Sequence, residues 1–186
     1  MPFTPEHPQL TAPAALRALG HPTRLRILGR LQLHCDATAT ECAADVGESP
    51  SSCSYHLRTL ARHGFVEEAP SDDGRERRWR ARVVGVDFPA TGDPEFEAAS
   101  RLARAALLQL DDDEVRSYLQ HEQSFSRAWR DAATFTKSTI VATPSELEQI
   151  AERIREVLEP YYRHNREQLP RGARYLHVGV RAVPRP

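Results

Sequence analysis

A mainly helical α+β fold is predicted, and three observations predict it. Short apolar-periodic stretches run from Thr11 to Val46 and from Ser49 to Gly64, punctuated by Gly20, Gly47 and Gly64. Two β-type runs, Phe65–Ala69 and Arg75–Val84, then flank the turn sequence Ser71-Asp72-Asp73-Gly74. Beyond residue 93 the helical patterns lengthen, and the chain closes on an alternating stretch. Residues 1–92 and 93–186 are therefore read as two regions.

The elements follow in order. Residues 1–10 hold three prolines and read as a loose arm. Thr11 is a candidate N-cap, with Pro13 in the first turn, for a helix with Ala15, Leu16 and Leu19 on its apolar stripe. Pro22 and Thr23 open a second helix carrying Leu25, Ile27, Leu28 and Leu31. Residues 34–39 read as a loop, and Glu41–Val46 as one or two helical turns ended by Gly47. Ser49-Pro50 repeats the cap-plus-proline signal. The helix it opens places Cys53, His56, Leu57 and Leu60 on one face and Ser51, Ser52, Ser54, Tyr55 and Arg58 on the other. In the second β run Trp79, Ala81 and Val83 alternate with Arg78, Arg80 and Arg82, so one side packs and the other is cationic. This is a helix-turn-helix followed by a β-wing.

Phe88–Asp93 reads as a linker. Asp93-Pro94 caps a helix whose stripe is Phe96, Ala99, Leu102, Ala103, Ala106, Leu107 and Leu110, and Asp111–Glu114 is expected to restart it towards Trp129. Ser138–Val141 is a β candidate. Thr143-Pro144-Ser145-Glu146 fits a capping box, and the helix it opens carries Leu147, Ile150, Ala151, Ile154, Val157, Leu158 and Tyr161, with Pro160 expected to kink or break it. Tyr175–Val183 alternates as a strand does. The expected second region is thus helical, for dimerisation, with a small β-α-β tail.

Composition narrows the function classes. The net charge is −1, so any contact with a polyanion depends on where the positive charge sits. Lys137 is the single lysine. Arginine suits bidentate phosphate and guanine contacts, although a GC-rich genome gives the same bias. No run approaches the ~18 apolar residues of a membrane helix, and MPFTPEHPQLT lacks the basic and apolar regions of a secretory leader. With three cysteines, Cys35, Cys42 and Cys53, no even disulfide framework is expected. A cytoplasmic chain with reduced thiols and no membrane contact is the expectation.

The run LRALGHPTRLRILGRL from Leu16 to Leu31, SPSSCSYHLRTLARHGFVEE and GRERRWRARV together resemble the ArsR-type winged helix-turn-helix regulators. The spacing S-x-x-S-x-H-L-x-x-L-x-x-x-G-x-V, from Ser51 to Val66, carries much of the likeness, which spans residues 12–85. The resemblance implies a homodimeric repressor of double-stranded DNA, often released by a metal or other effector. It covers residues after 93 only loosely, as an extra C-terminal region.

DNA contacts are accordingly expected from Ser51, Ser52, Ser54, Tyr55 and Arg58 on the recognition helix and from Arg75, Arg77 and Arg78 on the wing. Asp72, Asp73 and Glu76 dilute the wing charge. His56, between Cys53 and Leu57, is expected to be a buried histidine bonded to backbone. The family's Cys-x-Cys pair falls here on Thr38 and Thr40, which cannot supply soft ligands. Cys42 and Cys53 read as small core hydrophobes, and Cys35 beside His34 is a lone loop thiol. His164 and Glu167 lack a partner pair. No metal and no cofactor are expected.

No Gly-rich phosphate loop, GxSxG elbow or HExxH is present, so no enzyme is expected. The Phe96–Leu110 stripe is expected to meet a second subunit. Trp129, Phe135, Tyr161, Tyr162 and Tyr175 either pack as core or enclose a small-molecule effector. The alternative to a DNA-binding repressor is a winged helix used for protein–protein contact.

Overall fold

The computed structural model describes residues 10, 12–34, 36–70, 76–85, 88, 91–162, 165 and 168–185. The elements are α1 (Pro13–Leu19), α2 (Pro22–His34), β1 (Ala37–Thr38), α3 (Ala39–Val46), α4 (Pro50–Arg62), β2 (Val66–Ala69), β3 (Arg78–Ala81), α5 (Pro94–His121), α6 (Arg127–Ala132) and α7 (Pro144–Leu158). The three strands form one antiparallel sheet in the order β1-β3-β2. Ala37 sits opposite Trp79, and Val66 opposite Ala81. The chain divides into two compact units, residues 1–110 and 111–186, so the boundary lies within α5.

The first unit holds the core. Leu16, Leu19, Ile27, Leu57, Leu60 and Phe65 are among its largest fully buried side chains, and Trp79, Ala81 and Val83 close it from the sheet. Phe96, Ala99, Ala103 and Ala106 are buried in this same core. Leu107 and Leu110 pack against it as well, so six of the seven stripe residues expected to face a second subunit cover the chain's own winged helix. A stripe over 100° wide satisfies one neighbour before it needs another. Arg17 pairs with Glu95 at 2.6 Å, tying α1 to the start of α5. Gly20 ends α1 without a left-handed φ (−67°). What it provides is room, because a Cβ there would lie 2.7 Å from Cγ of Leu102.

Several expectations change. Residues 37–38, read as loop, form the edge strand β1; two residues show no period from which to infer it. Thr38 then caps α3: Glu41 N–H donates to its Oγ1 (3.2 Å), and Thr38 N–H donates to Glu41 Oε2 (2.7 Å). α1 has Ala12 at its N-cap with no side-chain bond, and the expected cap Thr11 lies outside the described residues. Asp111–Glu114 do not restart a helix; they lie inside the continuous α5, which ends at His121 rather than running on towards Trp129.

The second unit keeps its capping box, with Thr143 N–H donating to Glu146 Oε2 at 2.7 Å. A 3₁₀ turn at Glu159–Tyr161 follows α7, around Pro160. The expected strands 138–141 and 175–183 are not strands here: neither has a ladder partner among the described residues. Alternation marks a chain able to pair, and pairing needs a neighbour. Asp111 instead meets the last segment through Arg181 and His177, the latter at 3.4 Å.

Candidate nucleic-acid interface

α3 and α4 are joined by a tight turn. Gly47 adopts φ +72°, the left-handed conformation that glycine takes without strain. Its N–H and that of Glu48 both donate to Ala43 O, at 3.0 and 3.1 Å. Ser49 Oγ then accepts from Ser52 N–H (3.2 Å), and Pro50 occupies the first turn. The turn is anchored to α2, because Thr23 Oγ1 donates to Glu48 Oε1 at 3.2 Å and Arg26 donates to Val46 O at 3.3 Å.

The buried face of α4 carries Cys53, His56, Leu57 and Leu60. On the opposite face Ser51, Tyr55, Arg58 and Arg62 are all exposed, and the spacings of 4, 3 and 4 align them in one row. Tyr55 is 60% exposed. Ser52 and Ser54 are half-buried at the margins. Arg58 and Arg62 form no ion pair with a described residue. Arg62 was not among the expected contacts, although its i+4 spacing from Arg58 marks it.

The wing is less cationic than the alternation implied. Arg80 pairs with Glu67 at 2.5 Å and Arg82 with the same carboxylate at 3.6 Å. Arg78 donates to Asp36 O (2.9 Å) and lies 3.4 Å from Glu41. Arg77 is more open. It is 58% exposed, 3.2 Å from Glu68, with its guanidinium 5.9 Å from the Trp79 ring centroid. Arg75 and the turn 71–74 lie outside the described residues. The correction has a plain cause: β2 reads Val-Glu-Glu-Ala, and antiparallel register sets Glu67 opposite Arg80.

His56 is buried, as expected, but its Nδ1 has no hydrogen-bond partner among the described residues, so the expected backbone bond is not seen there. Its ring meets that of His21 in a tilted contact at 4.7 Å and that of Tyr55 edge-on at 5.6 Å. Burial, reinforced by neighbouring positive charge, lowers the pKa of both histidines. Cys42 and Cys53 are buried free thiols, and burial pushes Cys42 up to about 11. Glu41 is held below its usual range first by the Thr38 N–H and further by Arg78. Cys35, His164 and Glu167 lie outside the described residues.

Residues 19–69 match the helix-turn-helix domain family. This segment is a helix-turn-helix domain. No curated protein sequence matches the chain. Among solved structures, the chain is similar to the homodimeric winged helix-turn-helix DNA-binding domain of a possible ArsR-family transcriptional regulator from Mycobacterium bovis. That likeness has 25% identity, a TM-score of 0.35, and coverage of 54% of this chain and 77% of the other. ZitR from Lactococcus lactis is similar at 16% identity over 76% of this chain and 83% of that one, with a TM-score of 0.34. YusO from Bacillus subtilis is similar at 16% identity over 79% and 83%, with a TM-score of 0.33. In this helix-turn-helix domain α3 is the first helix, α4 the second, and β2–β3 the hairpin that follows them.

In the second unit no described side chain is buried. Phe135 and Tyr161 are 64% and 66% exposed and Tyr175 42%, while Trp129 and Tyr162 are half-buried. None of the five reaches a core. A groove of about 280 Å³ is lined instead by Ile150, Arg153, Ile154, Val157, Leu158 and Val178.

Proposed function

We propose that the chain is a DNA-binding transcription regulator, a homodimeric repressor that occupies an inverted-repeat operator and excludes polymerase. The supporting observation is the exposed row Ser51, Tyr55, Arg58 and Arg62 on the second helix of a helix-turn-helix domain, with Arg58 in no ion pair with a described residue. Serine and tyrosine hydroxyls serve base edges or phosphates; arginine binds guanine bidentately. Ser52 and Ser54 contribute at the margin. The wing adds phosphate contacts, led by Arg77; Arg78 must first give up Glu41, and Arg75 belongs to the same group by sequence. Leu108, Val115 and Leu119, at helical spacing and exposed on α5, support contact between two copies. No helix among the described residues is long and apolar enough to cross a membrane, which accords with a cytoplasmic site of action. The motifs support a non-enzymatic role with no cofactor or metal.

The test is binding to the chain's own promoter fragment across a salt series. Affinity should fall steeply as salt rises, and Arg58→Ala should weaken it at every salt concentration. Insensitivity to both favours the second reading, a protein-contact module. One observation favours that reading: Glu67, Glu68 and Glu41 already neutralise much of the wing's charge.

A further inference from the structure

The second unit has the apolar side chains of a folded domain and no interior to hold them. Ile140, Val157, Leu176, Val178 and Val180 are each more than half exposed, and α7 buries nothing fully.

The charge pattern of α7 names the occupant. Leu147, Ile150, Ala151, Ile154 and Leu158 form its apolar stripe. Glu146 and Glu148 flank the N-terminal half of that stripe, one on each side, and Arg153 and Arg155 flank the C-terminal half. About a two-fold axis between Ile150 and Ala151, an antiparallel copy sets Leu147 against Ile154. It brings Glu146 to the partner's Arg153 on one side and Glu148 to the partner's Arg155 on the other. A parallel copy would oppose like charges. Helices this patterned select antiparallel pairing.

We infer that α7 is a self-association surface: a second copy of this chain packs antiparallel along its apolar stripe, and Val157, at the end of that stripe, packs on the N-terminal turn of the other copy's α7. This rests on and deepens the dimer reading above, adding an interface outside α5. Val157 is 67% exposed, so its substitution leaves the single chain's fold intact.

The test is sedimentation velocity of the full chain over a concentration series, with far-UV circular dichroism as a folding check. Val157→Asp should raise the dimer dissociation constant at least tenfold. Glu148→Arg should raise it severalfold, and adding Arg155→Glu to that variant should restore it. If the chain dimerises and both single variants match wild type within twofold, α7 is not the interface, while the α5 dimer stands. If Glu148→Arg weakens association and the double variant stays weak, the antiparallel register is wrong. A wild-type chain that stays monomeric throughout removes both readings.

Discussion

The two units of this chain use the same local grammar and reach different ends. Each contains a Thr-x-x-Glu capping box opening a helix, Thr38/Glu41 before α3 and Thr143/Glu146 before α7. α3 buries Cys42, Ala43 and Val46 against α2 and α4; α7 buries no side chain. Local signals start and stop helices, but only tertiary packing stabilises them. The first unit has its packing within one chain, and the second lacks it.

Core truncations should break the comparison most strongly. Phe65→Ala should cost about 3–5 kcal/mol and Leu57→Ala about 2–5 kcal/mol, read by urea unfolding, since both are at most 1% exposed. Ile154→Ala in the second unit should leave the monomer's main transition in place. Equal losses from both sites would show that the second unit has a hidden core.

Arg58→Ala should reduce operator affinity by about 1–3 kcal/mol without moving the unfolding midpoint, measured by fluorescence anisotropy. A change in stability instead of affinity would make Arg58 structural. The capping boxes offer a matched pair: Thr38→Ala should destabilise the whole first unit by about 1 kcal/mol. Thr143→Ala should lower only helicity around residues 144–150, seen by NMR.

pH separates the units as well. Burial favours neutral His21 and His56 in the folded state, while the unfolded chain titrates near the ordinary value of about 6.5. Their stabilising contribution is therefore complete above about pH 6.5 and is lost as the pH falls through the unfolded value to the lower folded one. The melting temperature of the first unit should drop between pH 7.5 and 5.5, and His56→Gln should reduce the drop. An unchanged slope in that variant would remove His56 from the account. The smallest effect is expected for Arg77→Ala. Its surface pair with Glu68 is worth under about 1 kcal/mol, so stability should hold while the salt dependence of DNA binding becomes slightly shallower.

The helix-turn-helix was legible because each of its signals is local. Ser49-Pro50, Gly47 and the 53/56/57/60 stripe fix α4 and its outward row without tertiary information. Missing from that reading were facts about partners. β1 is two residues long and exists because β3 lies beside it. Glu67 and Glu68 reveal themselves as counter-charges only once the register is known. Alternation in 175–183 was read as a strand, yet alternation supplies no neighbour. The stripe from Phe96 to Leu110 was assigned to another subunit, when the nearer surface was the chain's own core.

Gly20 lies beneath Leu102 of α5. The side chain of Leu102 rests where a β-carbon would stand, so the corner between α1 and α2 acts as a socket whose depth is set by a missing atom. Leu102 is half exposed and free to swing outward. Adding a methyl at position 20 would therefore spare the interior and shift how firmly the long helix is seated, a place where mutation could tune the attachment of α5 while leaving the reading head untouched.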